Sequence, residues 1–148
     1  MKIIAELAQG FEGSLKQAKL LLKAAFCSGS DIAKFQLVYA DELATSDYKY
    51  YDLFKSLEMS DKEWKELYDY SFKLNIELNL DIFGEKSLKL CEKLGLSGVK
   101  LHGTDINNIG LLEKVANSKI KNIYLGAGGS YLSEIETALS ILKNKKVI

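Results

Sequence analysis

The chain is 148 residues long, 47% hydrophobic and 27% charged, with twenty basic residues balanced by twenty acidic ones. That length suits one domain, and the composition is globular, which excludes a disordered, collagenous or coiled-coil chain. Zero net charge gives no electrostatic footprint for nucleic acid or an anionic membrane surface, and no stretch approaches the ~18 apolar residues of a membrane span.

The segment Met1-Lys2-Ile3-Ile4-Ala5-Glu6 carries a carboxylate too early for a signal peptide, so the expected compartment is the cytoplasm. Cys27 and Cys91 both fall in helical patterns with no second ligand beside them. They are expected to be small buried hydrophobes, neither a disulfide nor a metal site. Proline is absent, so helix ends must be signalled by Gly, Ser, Asp and Asn.

Short apolar runs alternate with amphipathic stretches. Residues 3–7 read as a first strand. Ser14 is placed to cap the following helix, whose apolar face is Leu15, Ala18, Leu22 and Ala25, and Gly29 to stop it. Residues 32–38 read as a second strand, followed by an excursion over 39–59 rich in Tyr and Asp. Ser60-Asp61-Lys62-Glu63 is a capping box, opening a helix with Trp64, Leu67, Tyr68 and Ser71 on one side. Residues 76–80 predict a third strand. Leu88, Cys91 and Leu94 mark a helix that ends at Gly95. Residues 97–101 predict a fourth strand, followed by a helix marked by Ile109, Leu112, Val115 and Ala116. Residues 120–126 predict a fifth strand, followed by a helix marked by Leu132, Ile135, Leu139 and Leu142. Residues 145–148 read as the opening of a sixth strand.

Strands alternating with helices of ~10–15 residues imply right-handed crossovers and a parallel sheet. No GxGxxG follows the first strand and no GxxxxGK[ST] occurs, which disfavours a dinucleotide or NTP fold. The expected fold is α/β: a partial TIM-type (β/α) barrel of about five parallel βα units out of eight. Residues 1–148 are expected to form one incomplete barrel domain.

In such barrels the site lies at the C-terminal ends of the strands. Period-two alternation puts Lys34 and Gln36 on one face of strand two and Phe35 and Leu37 on the other. Strand four repeats this, with Lys100 and His102 sharing a face. Two lysines facing a barrel interior need counter-charges, because an unpaired buried ammonium is costly. An anionic substrate is one answer and Glu6, from strand one, is another. The latter would make Lys34 part of a structural ion pair. His102 is the sole histidine and cannot define a metal site. Gly126-Ala127-Gly128-Gly129-Ser130, leading into a helix, is either an anion-holding loop or simply a tight turn. Tyr48, Tyr50, Tyr51 and Phe54 are expected to pack the excursion.

Several blocks resemble the N-acetylneuraminate (sialic acid) synthase family. They are Ile4-Ala5-Glu6, Glu12-Gly13-Ser14-Leu15, Ala33-Lys34-Phe35-Gln36 with Ala40-Asp41-Glu42-Leu43, Tyr51-Asp52-Leu53-Phe54, Asp105-Ile106-Asn107-Asn108 and Leu132-Ser133-Glu134-Ile135. The resemblance implies condensation of phosphoenolpyruvate with an amino sugar of the N-acetylmannosamine class, using a divalent metal, Mn or Mg. By position, Lys34 and Lys100 would contact phosphoenolpyruvate and Glu12 would sit at the sugar acceptor as the catalytic residue. Gln36 and Asn108 would be further substrate contacts. The family's metal ligands and its antifreeze-like C-terminal domain have no counterpart in this chain. The chain departs from the family pattern at four places. Gly10-Phe11 stand where Asn-His is usual, and Leu80-Asp81-Ile82-Phe83-Gly84 where Ser-Thr-Pro-Phe-Asp is usual. His102-Gly103 replace small residues and Ser, and Gly126-Ala127-Gly128 replace Ser-Thr-Gly.

These features support three functional expectations. One is a sialic-acid-synthase-like condensing enzyme, incomplete or diverged. The second is a non-catalytic half-barrel acting as a binding or assembly module. The third is another lyase or aldolase barrel, with Lys100 as the Schiff-base lysine. The expected partners are phosphoenolpyruvate and an amino-sugar substrate, with neither nucleic acid nor membrane. Unpaired strand edges further predict a homo-oligomer or a missing C-terminal half.

Overall fold

The computed structural model describes all residues from Met1 to Ile148. Six strands lie in one parallel sheet in chain order: β1 (Ile4–Ala8), β2 (Ile32–Gln36), β3 (Glu77–Ile82), β4 (Gly98–Leu101), β5 (Asn122–Leu125) and β6 (Lys146–Val147). The helices between them are α1 (Leu15–Cys27), α2 (Ala40–Leu43), α3 (Tyr51–Ser56), α4 (Asp61–Leu74), α5 (Glu85–Leu94), α6 (Ile109–Asn117) and α7 (Leu132–Ile141). Sequential parallel strands joined by helices are the construction of a (β/α) barrel, and six strands make part of one. The chain packs as two compact units, residues 1–80 and 81–148, divided within β3.

The first unit holds β1, α1, β2 and α2 to α4. Ser14 accepts from the Gln17 amide and starts α1, while Gly29 adopts φ +80° just beyond its end. The predicted capping box at Ser60 and Glu63 is formed, and α4 stops at Asn75 in the left-handed region. β2 is buried from Ile32 to Phe35, as a strand covered on both faces must be. Its core is aromatic: Phe11, Phe35 and Trp64 meet edge-on, with ring centroids 5.3 to 6.4 Å apart. The excursion folds into α2 and α3. Tyr48 packs on Tyr50 and Phe54 there, and the Tyr51 hydroxyl donates to Asp41.

The second unit runs from the end of β3 to β6. Leu88, Cys91 and Leu94 of α5, Leu111, Leu112 and Val115 of α6, and Leu101, Ile123 and Leu142 form its core. Gly95, at φ +74°, closes α5. Asn108 accepts from the Leu111 amide at 3.1 Å and caps α6.

One expectation is corrected: Cys27 is exposed, because it ends α1 on the outer side, whereas Cys91 is buried. The helices marked by Ile109 and by Leu132 form as expected. Ile109, Leu132 and Leu139 are exposed on them, while Ala138 and the following Leu142 are buried.

Candidate active site

The sequence places its candidates on two stretches of polypeptide, one in each unit. In the first unit, β1 and β2 pair with Glu6 opposite Lys34. The Lys34 ammonium forms an ion pair with the Glu6 carboxylate. Lys34 is only 5% exposed, whereas the Glu6 side chain is half exposed. The other Glu6 oxygen accepts from the Ala8 amide at 3.1 Å. Both answers to the charge of Lys34 thus remain compatible: a carboxylate is already present, and it is the more accessible partner. Gln36 lies two positions on along β2, on the same face and half-buried.

The pairing slips by one residue between Glu6 and Ala8. Such a bulge bends the strand and re-aims the chain beyond it, which here is the loop that carries Glu12. Ala8 and Glu12 both take positive φ, 45° and 50°. Gly13 adopts φ +71°, and a Cβ there would collide with the Ser56 carbonyl oxygen. The Glu12 side chain is exposed on this tightly seated turn. A non-glycine residue held in the left-handed region stores strain, which concentrates at functional sites. Phe11, beside it, is fully buried among Phe35 and Trp64, so the position where the family carries histidine is here a core position.

In the second unit, Lys100 near the end of β4 reaches the carboxylate of Asp81 on β3, with Nζ and Oδ2 3.1 Å apart. Asp81 is fully buried, while 26% of the Lys100 side chain is exposed. Asp81 is a counter-charge that the sequence pattern did not single out. Its signal is the period-two alternation of β3, Glu77-Leu78-Asn79-Leu80-Asp81-Ile82, which puts Asp81 on one face with Glu77 and Asn79. His102 follows β4, with its ring 5.6 Å from that of Phe83 and its Nδ1 3.3 Å from the Thr104 hydroxyl. Asn108 serves α6: besides capping it, its amide nitrogen donates to Asp105. Asn107 donates to Glu134, and that bond, with a second from the Tyr131 amide, holds the Glu134 carboxyl below its usual range.

The glycine-rich segment after β5 is a turn held by its own backbone. The Gly126 amide donates to the Leu101 carbonyl at 2.9 Å and the Ser130 amide to the Ala127 carbonyl. A Cβ on Gly126 would stand 2.7 Å from the Gly103 nitrogen, so the loops after β4 and β5 touch through glycine backbone. Two of the amides that could have met an anion are therefore already engaged. No group of three His, Cys, Asp or Glu side chains is placed to hold a metal ion, so these residues do not fit a metal centre by themselves. No helix is long and apolar enough to cross a membrane.

Comparison with known proteins agrees with this architecture. Residues 21–148 match the model of the NeuB family. The chain is 32% identical over 154 residues to an N,N'-diacetyllegionaminic acid synthase of Campylobacter jejuni, covering 95% of this chain and 46% of that protein. It is 34% identical over 142 residues to an uncharacterized Methanocaldococcus jannaschii protein, covering 96% and 42% respectively. The crystal structure of an N-acetylneuraminic acid synthetase from Leptospira borgpetersenii, in complex with citrate, superposes with a TM-score of 0.92 at 31% identity. That match covers 98% of this chain and 51% of the other. The chain thus spans less than half the length of the curated relatives it matches. A Thermotoga maritima DAHP synthase shares the fold at 16% identity with a TM-score of 0.71. The matched family model and the shared strand order lead to one conclusion: this chain belongs to the NeuB family.

Proposed function

We propose that this chain is the N-terminal barrel portion of a condensing enzyme that joins phosphoenolpyruvate to an N-acyl hexosamine of the N-acetylmannosamine class, releasing phosphate. The observation that carries the reading is the presence, in a NeuB-family chain, of Lys34 and Lys100 near the C-terminal ends of β2 and β4, each beside a carboxylate. A lysine held by a strand is a fixed positive charge for an anionic substrate. In this reading Lys34 and Lys100 orient phosphoenolpyruvate, Gln36 and Asn108 contribute amide contacts, and Glu12 is the catalytic residue at the acceptor sugar, where its carboxyl can pass a proton to the carbonyl oxygen as the carbon–carbon bond forms. A divalent metal, Mn or Mg, would supply electrophilic assistance, and the residues of this chain are assigned no part in holding it. The protein acts in the cytoplasm, as a homo-oligomer or with the remaining barrel strands and the antifreeze-like domain of its relatives.

The test is phosphate release from phosphoenolpyruvate by the complete protein, with Mn or Mg and a panel of N-acylated hexosamines, since this chain alone is expected to be inactive. The expected result is release dependent on one acceptor and lost in Lys34→Ala; no release with any acceptor sinks the reading. A second reading, a non-catalytic module that only binds a small anion, is favoured by one observation: both lysines are already paired with carboxylates. It predicts phosphoenolpyruvate binding without turnover.

A further inference from the structure

We infer that Glu58 is a positioning residue for Glu12, acting through the backbone of α3; this rests on the reading above, in which Glu12 is the catalytic residue at the acceptor sugar. The Glu58 carboxylate ties the end of α3 to the polypeptide that leaves β2. The end of α3 is in turn the seat of the turn that carries Glu12.

α3 buries none of its six residues, so core packing does not hold it in place. Hydrogen bonds do. The Tyr51 hydroxyl donates to Asp41 on α2. Just past the end of α3, a Glu58 oxygen accepts from the Ala40 amide at 2.8 Å. Ala40 is the first residue of α2 and is fully buried, and the Tyr39 side chain before it supplies no cap. The amide of a buried residue needs an acceptor, and Glu58 provides it. Ala40 stands four residues beyond Gln36, the last residue of β2, and Leu37, Val38 and Tyr39 between them are buried. Glu58 is therefore bonded to a segment fixed by the core and continuous with the strand of Lys34.

Two residues before Glu58, the Ser56 carbonyl lies against Gly13. A Cβ on Gly13 would collide with that oxygen and stand 3.5 Å from the Leu57 Cα. Gly13 at φ +71° follows Glu12 at φ +50°. A strained residue such as Glu12 keeps its conformation only while its surroundings over-determine it. On one side Phe11 is locked against Phe35 and Trp64. On the other side the seat at Ser56 and Leu57 does the same for Gly13. Without the Glu58 bond the seat is free to shift, and the strain at Glu12 relaxes by moving its carboxyl. Lys55 also bonds Glu58, at 3.0 Å, but it lies one turn away on the same segment with over half its side chain exposed. That pair fixes Glu58 to nothing else. What positions the seat is an acceptor oxygen for the Ala40 amide, not a charge.

The test compares Glu58→Ala, Glu58→Gln and Lys55→Ala with wild type in the complete protein. One readout is steady-state phosphate release from phosphoenolpyruvate and an N-acyl hexosamine. The other is amide hydrogen exchange at Glu12 and Ser14, which donate to the Gln9 and Phe11 carbonyls at 3.0 and 2.8 Å. Glu58→Ala is expected to lower kcat by about tenfold to a hundredfold, the scale of a misplaced catalytic group, with the KM for phosphoenolpyruvate unchanged. Exchange at Glu12 and Ser14 should quicken by at least about tenfold as the turn opens more readily, while amides within α4 keep their wild-type rates. Glu58→Gln retains the acceptor oxygen and should restore both readouts, and Lys55→Ala should alter neither. Gly13→Ala disturbs the same seat from the opposite side and gives the same loss of kcat should Glu58→Ala fail to fold. Unchanged exchange at Glu12 and Ser14 in folded Glu58→Ala refutes the positioning role, while the condensing reading stands on phosphate release by wild type. Faster exchange with an unchanged kcat refutes it too, because the placement of the turn then has no bearing on catalysis. If wild type releases no phosphate with any acceptor, the condensing reading falls and the catalytic role of Glu58 with it, and exchange still decides whether Glu58 holds the turn.

Discussion

Glu6 lies directly opposite Lys34 in the β1–β2 register, and its carboxylate closes on an ammonium that is almost wholly removed from solvent. The pairing is a property of strand register, so a one-residue slip would turn Lys34 to the other face. Removing the carboxylate leaves the ammonium with less compensation for its lost hydration. Glu6→Gln is therefore expected to destabilise the fold by about 1–2 kcal/mol, less than for a fully buried pair because Glu6 is itself half exposed. Urea denaturation should show a lower midpoint with an unchanged slope. Glu6→Gln combined with Lys34→Met should cost less than the sum of the two single changes.

Phe11 sits where the family pattern has histidine. Its ring is fully buried, 5.3 Å from Trp64 and 6.0 Å from Phe35. A cavity the size of that ring does not collapse readily. Phe11→Ala should cost about 3–5 kcal/mol, and Phe11→His should be destabilising too, because an imidazole there loses its water. Thermal melts followed by circular dichroism measure both. A Phe11→His protein as stable as wild type would contradict the packing argument.

The strand order was legible because each strand is a short apolar run between helices that carry their own caps. Ser14, Ser60 and Gly95 act as the sequence implied. Strand ends were less legible: β3 runs from Glu77 to Ile82, beyond the expected end at Leu80, because Asp81 reads as a turn residue until its partner is known. The Asp81–Lys100 pair joins residues 19 apart in sequence, and no local period reports it. Glu6–Lys34 was legible because only one carboxylate stood on the adjoining strand. The positive φ of Glu12 was not legible, since glutamate seldom adopts it. The excursion hid α2 and α3 because both are very short helices, with four and six residues.

Glu85 offers a pH prediction. Its carboxylate bonds to Lys114 from α6 and to Lys89 one turn on, and these hold its pKa at about 2, below the ordinary 4.5. A carboxyl whose pKa is depressed by folding stabilises the folded state above its ordinary value, and that contribution disappears as pH falls through the folded value. Glu85→Gln should therefore melt below wild type at pH 7 and converge with it as pH falls from 4.5 to about 2. All three groups are on the surface, so the difference at neutral pH should be small. It should shrink further in about 0.5 M salt, where the Debye length falls to roughly 4 Å. Carboxyl titration by NMR gives an independent check: a midpoint near 4.5 would remove the basis of the prediction.

Glu12 separates folding from function most directly. Its backbone is at φ +50°, a conformation open to glycine without penalty and costly to glutamate. The next residue is a glycine in the same region whose missing Cβ lets the turn sit on the Ser56 carbonyl, so the turn cannot relax by moving Gly13. Glu12→Gly should therefore stabilise the fold, or leave it unchanged, with the relief of about 1 kcal/mol offset in part by the freer unfolded chain. Glu12→Gln keeps the strain and removes the charge. If Glu12 acts at the acceptor sugar, both variants lose condensation by a factor of about 100 or more, the usual scale for a positioned acid–base group, while phosphoenolpyruvate still binds. If Glu12 is only a turn residue, Glu12→Gly is at least as stable and fully active. Measuring melting temperature and phosphate release on the same two variants decides between these outcomes, because strain and charge are removed separately.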